Sequence, residues 1–312
     1  MMVTVENLTK RYRKTLAVDK LSMEIPEGEI YGFVGANGAG KTTTMRIIAG
    51  LLAPTSGKVF VEGIDVSKEP LKVKEHLGYM PDFFGVYDDL KVTEYMSFYG
   101  GLQGIYGARS DELTDSLLEL VKLTDKKEAY VDSLSRGMKQ RLCLARSLIH
   151  DPKFLILDEP ASGLDPRARV EMREILKELR TMGKTVLISS HILTELSELC
   201  TSIGIIDDGR LVASGSVSQI LEKMTHSGMI RIKVLERQDE AVKILLEMPE
   251  VSEVSSVSDI LEVKIKGREE LFAKVLKELV DKDIPVVSFH PEEGSLESVF
   301  MQLTERGTEN EN

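Results

Sequence analysis

The sequence is short of several things, and each shortage removes a class of protein. No apolar run approaches the roughly 18–20 residues that cross a bilayer as a helix, so no membrane span is expected in this chain. The first residues, Met1, Met2, Val3, Thr4, Val5 and Glu6, lack the charged and apolar regions of a secretory leader. There are only 2 cysteines in 312 residues, Cys143 and Cys200, and neither has metal-type spacing. Each lies in a helix-like apolar pattern, so both are expected as buried free thiols, which fits a reducing cytoplasm. A surplus of basic charge is also missing. The net charge is −11. Residues 220–312 hold 12 Lys/Arg against 20 Asp/Glu, a net of 12 − 20 = −8, which leaves −3 for residues 1–219. An acidic C-terminal part argues against nucleic-acid binding there, and against docking on anionic lipid by charge alone. Hydrophobic content of 42% and charged content of 29% are ordinary for a globular chain of about two domains.

What is present begins with Gly35, Ala36, Asn37, Gly38, Ala39, Gly40, Lys41, Thr42 and Thr43. An apolar run with strand character, residues 30–34, precedes this stretch. Helical spacing at Met45, Ile47, Ile48 and Leu51 follows it. Strand, glycine loop, Lys-Thr and helix form the context of a phosphate-binding loop. Glycines let successive backbone N–H groups turn toward phosphate oxygens, and the helix adds its positive end. Lys41 can reach the β- and γ-phosphates, and the Thr42 hydroxyl can ligate Mg²⁺. A nucleoside triphosphate is the expected ligand.

Residues 3–8 alternate as a half-buried strand, and 16–25 give a second one. After the loop helix come a strand at 58–61, a bend at 63–66 and a short strand at 77–80. The aromatic stretch containing Phe83, Phe84 and Tyr87 reads as loop, facing either the core or a partner. Helical spacing runs from 93 to 122, broken at 100–107, and another helix covers 138–149. Residues 154–157 are all apolar, as in a central parallel strand covered on both faces. An amphipathic helix at 167–182, a strand at 185–189, a helix at 191–199 and a hairpin at 203–213 follow. Beyond about 220–224 the rhythm becomes β-α-β-β-α-β, with a last amphipathic turn at 296–303. That order suggests a small two-layer, ferredoxin-like domain.

The second constellation is Asp158-Glu159 at the end of the 154–157 run. An Asp at the mouth of a parallel strand beside a phosphate loop is placed to hold Mg²⁺. Glu159 can polarise an attacking water. Upstream by 158 − 135 = 23 residues lies Leu134-Ser135-Arg136-Gly137-Met138. Ser135 is a good N-cap, and Gly137 leaves backbone N–H groups open to an anion. Ala161-Ser162-Gly163-Leu164-Asp165 follows the acids, and His191 follows Ser189-Ser190.

With these motifs in this order, residues 2 to about 220 resemble the ATP-binding-cassette (ABC) ATPases. The resemblance implies an α/β fold, a P-loop ABC ATPase domain with a mixed sheet core and a helical subdomain, plus the small C-terminal α+β domain. The expected boundaries are 1–222 for the ATP-binding domain, with its helical subdomain at about 83–150, then 223–305, then a polar tail at 306–312. It further implies ATP and Mg²⁺ as ligands. Lys41, Glu159 and His191 would be catalytic. Gly35, Asn37, Gly38, Gly40, Lys41, Thr42 and Thr43 would bind phosphate, with Ser135 and Gly137 supplied from a second subunit. Thr42, Asp158 and Asp82 would hold the metal, and Tyr12 would stack on adenine. Two motifs depart from the family. Arg136 and Met138 stand within a signature that usually reads Leu-Ser-Gly-Gly-Gln, and Asp82 stands where the family has Gln. Asp82 can hold a cation or water through oxygen, but it donates no N–H.

One phosphate loop and one signature per chain imply a dimer, with itself or a paralogous subunit. Transport would need a separate polytopic permease, with the ATPase peripheral on the inner face of the membrane. The signature and the C-terminal domain look like those of the ATPase subunits of bacterial ABC-2-type exporters. A soluble ABC ATPase that assembles a cofactor or complex is the alternative reading. A GTPase would need an Asn-Lys-x-Asp base reader, and the chain has none.

Overall fold

The computed structural model describes residues 1–292 apart from 84, 86, 88, 193–195, 225–226, 258–259 and 267–269. It divides into two compact units, Met1–Gly215 and Ser216–Asn312.

The first unit contains two sheets. Strands β1 (Val3–Tyr12), β2 (Thr15–Ile25), β4 (Ser56–Val61) and β5 (Ile64–Asp65) form an antiparallel sheet in the order β2-β1-β4-β5. Strand β1 is longer than the alternation at 3–8 indicates. Val3, Val5 and Leu8 are all buried although Val5 and Leu8 are three residues apart. The ladder to β2 shifts register between them, and Asn7 has a φ of 47°. That bulge returns Leu8 to the core face. The bend expected at 63–66 instead carries the short strand β5, because Val61 pairs with Ile64 across the turn.

The second sheet has the order β10-β9-β3-β8-β7-β6. Its strands are β3 (Ile30–Val34), β6 (Leu77–Met80), β7 (Phe154–Leu157), β8 (Thr185–Ser190), β9 (Ser202–Asp207) and β10 (Arg210–Ser216). Every residue of β3, β7 and β8 is buried, as expected of parallel strands covered on both faces. Parallel pairing places Val34 beside Ser190, Leu157 beside Ile188, and Met80 beside Leu157. The segments after β3, β6, β7 and β8 therefore all leave from one edge of the sheet, where open α/β sheets bind ligands. Asp208 (φ 41°) and Gly209 (φ 78°) turn β9 into β10, with both central residues left-handed as a type I′ turn requires.

Among the described residues the helices that accompany these sheets include α1 (Lys41–Ile48), α2 (Pro70–Glu75), α3 (Val92–Leu102), α4 (Ala108–Leu120), α5 (Arg136–Ser147) and α6 (Pro166–Thr181). Helices α3, α4 and α5 pack on one another. The expected break in the 93–122 pattern is present between α3 and α4, but α3 runs three residues into it, through Gly100, Gly101 and Leu102. Helix α5 starts two residues before the expected Met138, because the Ser135 side chain caps it by accepting from the Met138 N–H at 3.3 Å. Cys143 is buried in α5, and burial pushes its thiol up to about 11. Cys200 departs from expectation: it follows the 191–199 segment rather than sitting in a helix, and it is half-buried. Of that segment, 193–195 lie outside the described residues.

Among its described residues the second unit has four antiparallel strands, β11 (Ser227–Val234), β12 (Val251–Val257), β13 (Ile260–Lys266) and β14 (Val286–Glu292), in the order β12-β13-β11-β14. Ile230 and Ile232 alternate inward with Leu261, Val263 and Ile265. They pack against Ala241 and Leu245 of the helix Gln238–Glu247 and Val275 and Leu279 of the helix Glu270–Asp281. This is the expected β-α-β-β-α-β arrangement. The amphipathic turn expected at 296–303 and the tail at 306–312 lie outside the described residues.

Candidate nucleotide site

The loop after β3 is shaped by backbone pressed on backbone. A Cβ at Gly35 would stand 2.4 Å from the Ile206 carbonyl oxygen, and one at Gly40 would stand 2.4 Å from that of Ala17. Gly38 and Gly40 have φ of 89° and 106°, which L side chains rarely adopt. The loop tip, Ala36, Asn37 and Gly38, is exposed. No side chain caps the start of α1, so its first N–H groups are free to meet an anion. Thr42 and Thr43 lie half-buried in that first turn. Lys41 is 6% exposed, and its Nζ donates to the carbonyls of Gly35 at 2.7 Å and Ala36 at 3.2 Å. Burial lowers its pKa, with Glu159 and Asp158 acting in the opposite sense.

The two acids follow β7 and point into the same place from different backbone geometries. Asp158 is 1% exposed. Its N–H donates to the Met80 carbonyl at 2.9 Å, and its Oδ1 accepts from Ser189 Oγ at 2.7 Å. Glu159 has a φ of 51°, a left-handed conformation that costs a non-glycine residue about 1–2 kcal/mol. Its N–H donates to the same Ser189 Oγ at 2.9 Å. One hydroxyl thus fixes both acids. The turn carries the Glu159 side chain to His191, whose Nδ1 lies 2.9 Å from Oε2, and to Lys41, whose Nζ lies 3.7 Å from Oε1.

Among the described residues, several buried side-chain oxygens have no hydrogen-bond partner, and Asp158 Oδ2 and Glu159 Oε1 are the two contributed by this pair of acids. Beside an uncapped helix start and a lysine, they fit a divalent cation and a polarised water respectively. Among the described residues no three His, Cys, Asp or Glu side chains converge as a metal site. A cation here would therefore draw part of its shell from a hydroxyl and from ligand oxygens, as Mg²⁺ does with phosphates. Asp82 is exposed one residue beyond Pro81, in the bend that follows β6, the strand beside β7. It and Asp158 both lie near enough to the Tyr79 phenol to raise its pKa, after burial as the main cause.

Lys41, Asp158, Glu159 and His191 are thus brought together. Ser135 and Gly137 are not: among the described residues no hydrogen bond or ion pair links them to that group. Ser135 is exposed at the start of α5, and Gly137 is buried, with a Cβ there only 3.1 Å from Ala168 Cβ. Tyr12 is 44% exposed at the end of the β1–β2 hairpin, whose Ala17 presses on Gly40. Lys10 Nζ sits 5.1 Å from its ring centroid. Sequence reasoning missed Ser189 and Gln140. Ser189 was signalled by a polar residue ending a buried apolar run. Gln140, 2% exposed, donates from Nε2 to the Ser162 carbonyl at 3.1 Å and had no local signal.

The fold and this edge of the sheet define a P-loop nucleoside-triphosphate hydrolase. Comparison with known proteins gives the family. Residues 18–162 match the ABC transporter family, and residues 215–304 match the C-terminal domain of DrrA1-3-like ATP-binding proteins. The linearmycin resistance ATP-binding protein LnrL of Bacillus subtilis (strain 168) is 32% identical over 307 residues, 98% of this chain and 99% of its own length. The Nod factor export ATP-binding protein I of Ralstonia nicotianae is 33% identical over 306 residues, 98% and 94% of the two chains. Among solved structures, an ATP-binding subunit of an ABC transporter superposes with a TM-score of 0.64 at 27% identity, covering 72% of this chain and 93% of that one. A dimeric ATP-binding cassette in a post-hydrolysis state, bound to ADP and Pi, gives 0.64 at 25% identity, covering 69% and 99%. The chain belongs to the ABC transporter ATP-binding proteins, and it is the ATP-hydrolysing subunit of such a transporter.

Proposed function

We propose that this chain drives an exporter by closing on a second copy of itself, each copy completing the other's ATP site. The observation that carries this reading is a divided site. Lys41, Asp158, Glu159 and His191 stand together, while Ser135 and Gly137 are presented elsewhere on the same unit. The loop 35–43 and Lys41 hold the triphosphate, and Tyr12 stacks on adenine. Thr42, Asp158 and Asp82 hold Mg²⁺, which neutralises phosphate charge when bound. Glu159 orients the attacking water, and His191 fixes the Glu159 carboxylate and faces the γ-phosphate. Ser135 and Gly137 of the second copy supply a hydroxyl and an N–H to that phosphate. The chemistry is phosphoryl transfer to water, in which positioning and charge neutralisation do most of the catalysis.

No helix among the described residues is long and apolar enough to cross a membrane, so a polytopic permease is the other partner. Phe83 (89% exposed) and Tyr87 (53% exposed) offer a surface for it, with Tyr87 edge-on to Phe98 at 5.4 Å. Phe84 lies outside the described residues. The chain would then be held at the inner face of the membrane. Affinity purification from detergent-solubilised membranes tests this. Co-purification of a small polytopic protein is expected, and recovery with soluble partners alone would favour the cofactor-assembly reading.

A further inference from the structure

The signature carries an arginine, and its environment is unusual for one. Arg136 is the first residue of α5, where the helix dipole disfavours a cation. It is exposed, and no carboxylate or hydrogen-bond acceptor pairs with it among the described residues. Its guanidinium nevertheless has a close neighbour. Gly163, in the loop between β7 and α6, has a φ of 68°, and a Cβ built there would lie 2.5 Å from Arg136 Cζ, 2.5 Å from Nη1 and 2.9 Å from Nη2. Near-equal approach to three atoms of the plane means the guanidinium lies flat on the glycine. A Cβ at 163 would have to push the guanidinium aside, and the φ of 68° disfavours any residue with a Cβ there.

Two further contacts tie the same loop to the same helix. Gln140 Nε2 donates to the Ser162 carbonyl, and Gly137 sits tight against Leu164. The loop in turn bonds back to the water-orienting acid, since the Ser162 N–H donates to the Glu159 carbonyl at 3.0 Å.

We propose that Arg136 and Gly163 are a size-matched pair, and that Arg136 is a positioning residue: its guanidinium plane braces the loop leading out of Glu159 against the signature turn. The role rests on the shape of the side chain rather than on its charge. It also rests on the reading of Glu159 as the residue that orients water.

The test is a double-mutant cycle on the full chain, reading kcat and KM for ATP, with thermal melts to show that each variant folds. Arg136→Ala is expected to lower kcat about five- to tenfold with little change in KM, because a small displacement of a reacting group costs rate rather than binding. Arg136→Lys keeps the charge and loses the plane, so its kcat should fall as far as that of Arg136→Ala. Gly163→Ala should also lower kcat by displacing the guanidinium. In the double variant the two losses should not multiply, since contacting residues couple. Wild-type kcat in Arg136→Lys, or losses that multiply independently, would overturn the proposal. Glu159→Gln is run alongside. If it hydrolyses ATP as wild type does, the functional reading fails. If it is inactive while Arg136→Ala is unchanged, only the brace fails.

Discussion

Ser189→Ala removes one hydroxyl that serves two groups, so its effect can be worked from the structure. Ser189 is fully buried. Its Oγ donates to Asp158 Oδ1 at 2.7 Å and accepts from the Glu159 N–H at 2.9 Å. A hydrogen bond to a charged group is worth about 1.5–3 kcal/mol, and a buried N–H left unpaired costs about 1–3 kcal/mol. The two share one atom and do not add fully, so about 2–4 kcal/mol of stability should be lost. That is a large part of the roughly 5–15 kcal/mol typical of a domain. The rate should fall about tenfold or more, because both acids lose their register. Urea unfolding and steady-state ATPase assays at a temperature where the variant is folded measure the two effects. Ser190→Ala is the control. Its Oγ accepts from the Ile192 N–H at 2.9 Å and donates over a long 3.5 Å to the Ile192 carbonyl, and touches neither acid, so its loss should be about 1 kcal/mol. A Ser189→Ala loss below about 0.5 kcal/mol, the range of an ordinary surface change, or an unchanged kcat, would refute the shared-hydroxyl argument.

Gly40→Ala should destabilise the protein more than Gly38→Ala. Both positions have positive φ, but only at 40 does the Cβ meet a backbone oxygen, that of Ala17 at 2.4 Å, whereas at 38 nothing lies within 4 Å. Equal losses in thermal melts would contradict this. ATP affinity should depend on pH through Lys41. Its pKa is lowered in the free protein by burial, and adjacent phosphates favour the charged form. Affinity should therefore be full below the lowered pKa and decline as pH rises through it toward the ordinary lysine range, with proton uptake on binding. Calorimetry in buffers of different ionisation heat measures that uptake, and none at alkaline pH would count against the assignment.

Much of the site was legible because its signals are local. The glycine loop with its Lys-Thr, and the apolar run ending in Asp158-Glu159, each announce themselves within ten residues. Whole-strand burial of β7 and β8 is equally plain in their apolar runs. What was not legible depends on partners distant in sequence or on backbone geometry. Leu8 breaks the alternation of β1, and only the bulge at Asn7 explains its burial. Helix α3 extends three residues into its expected glycine break because Gly100 and Gly101 sit against Ser110 and Tyr106 rather than in a free turn. Ser189 and Asp158 are 31 residues apart, and Arg136 and Gly163 are 27 apart (163 − 136), so neither contact leaves a trace in spacing. The left-handed φ of Glu159, which aims the acid at His191 and Lys41, has no sequence signature at all.

The most direct test of the divided site is the oligomeric state of Glu159→Gln with ATP and Mg²⁺. The substitution keeps the size of the side chain and removes its capacity to polarise water. The account predicts an ATP-dependent dimer by size-exclusion chromatography with light scattering, no turnover, and loss of that dimer when Ser135→Ala is added. A variant that stays monomeric at saturating ATP, or hydrolyses ATP at the wild-type rate, would contradict it.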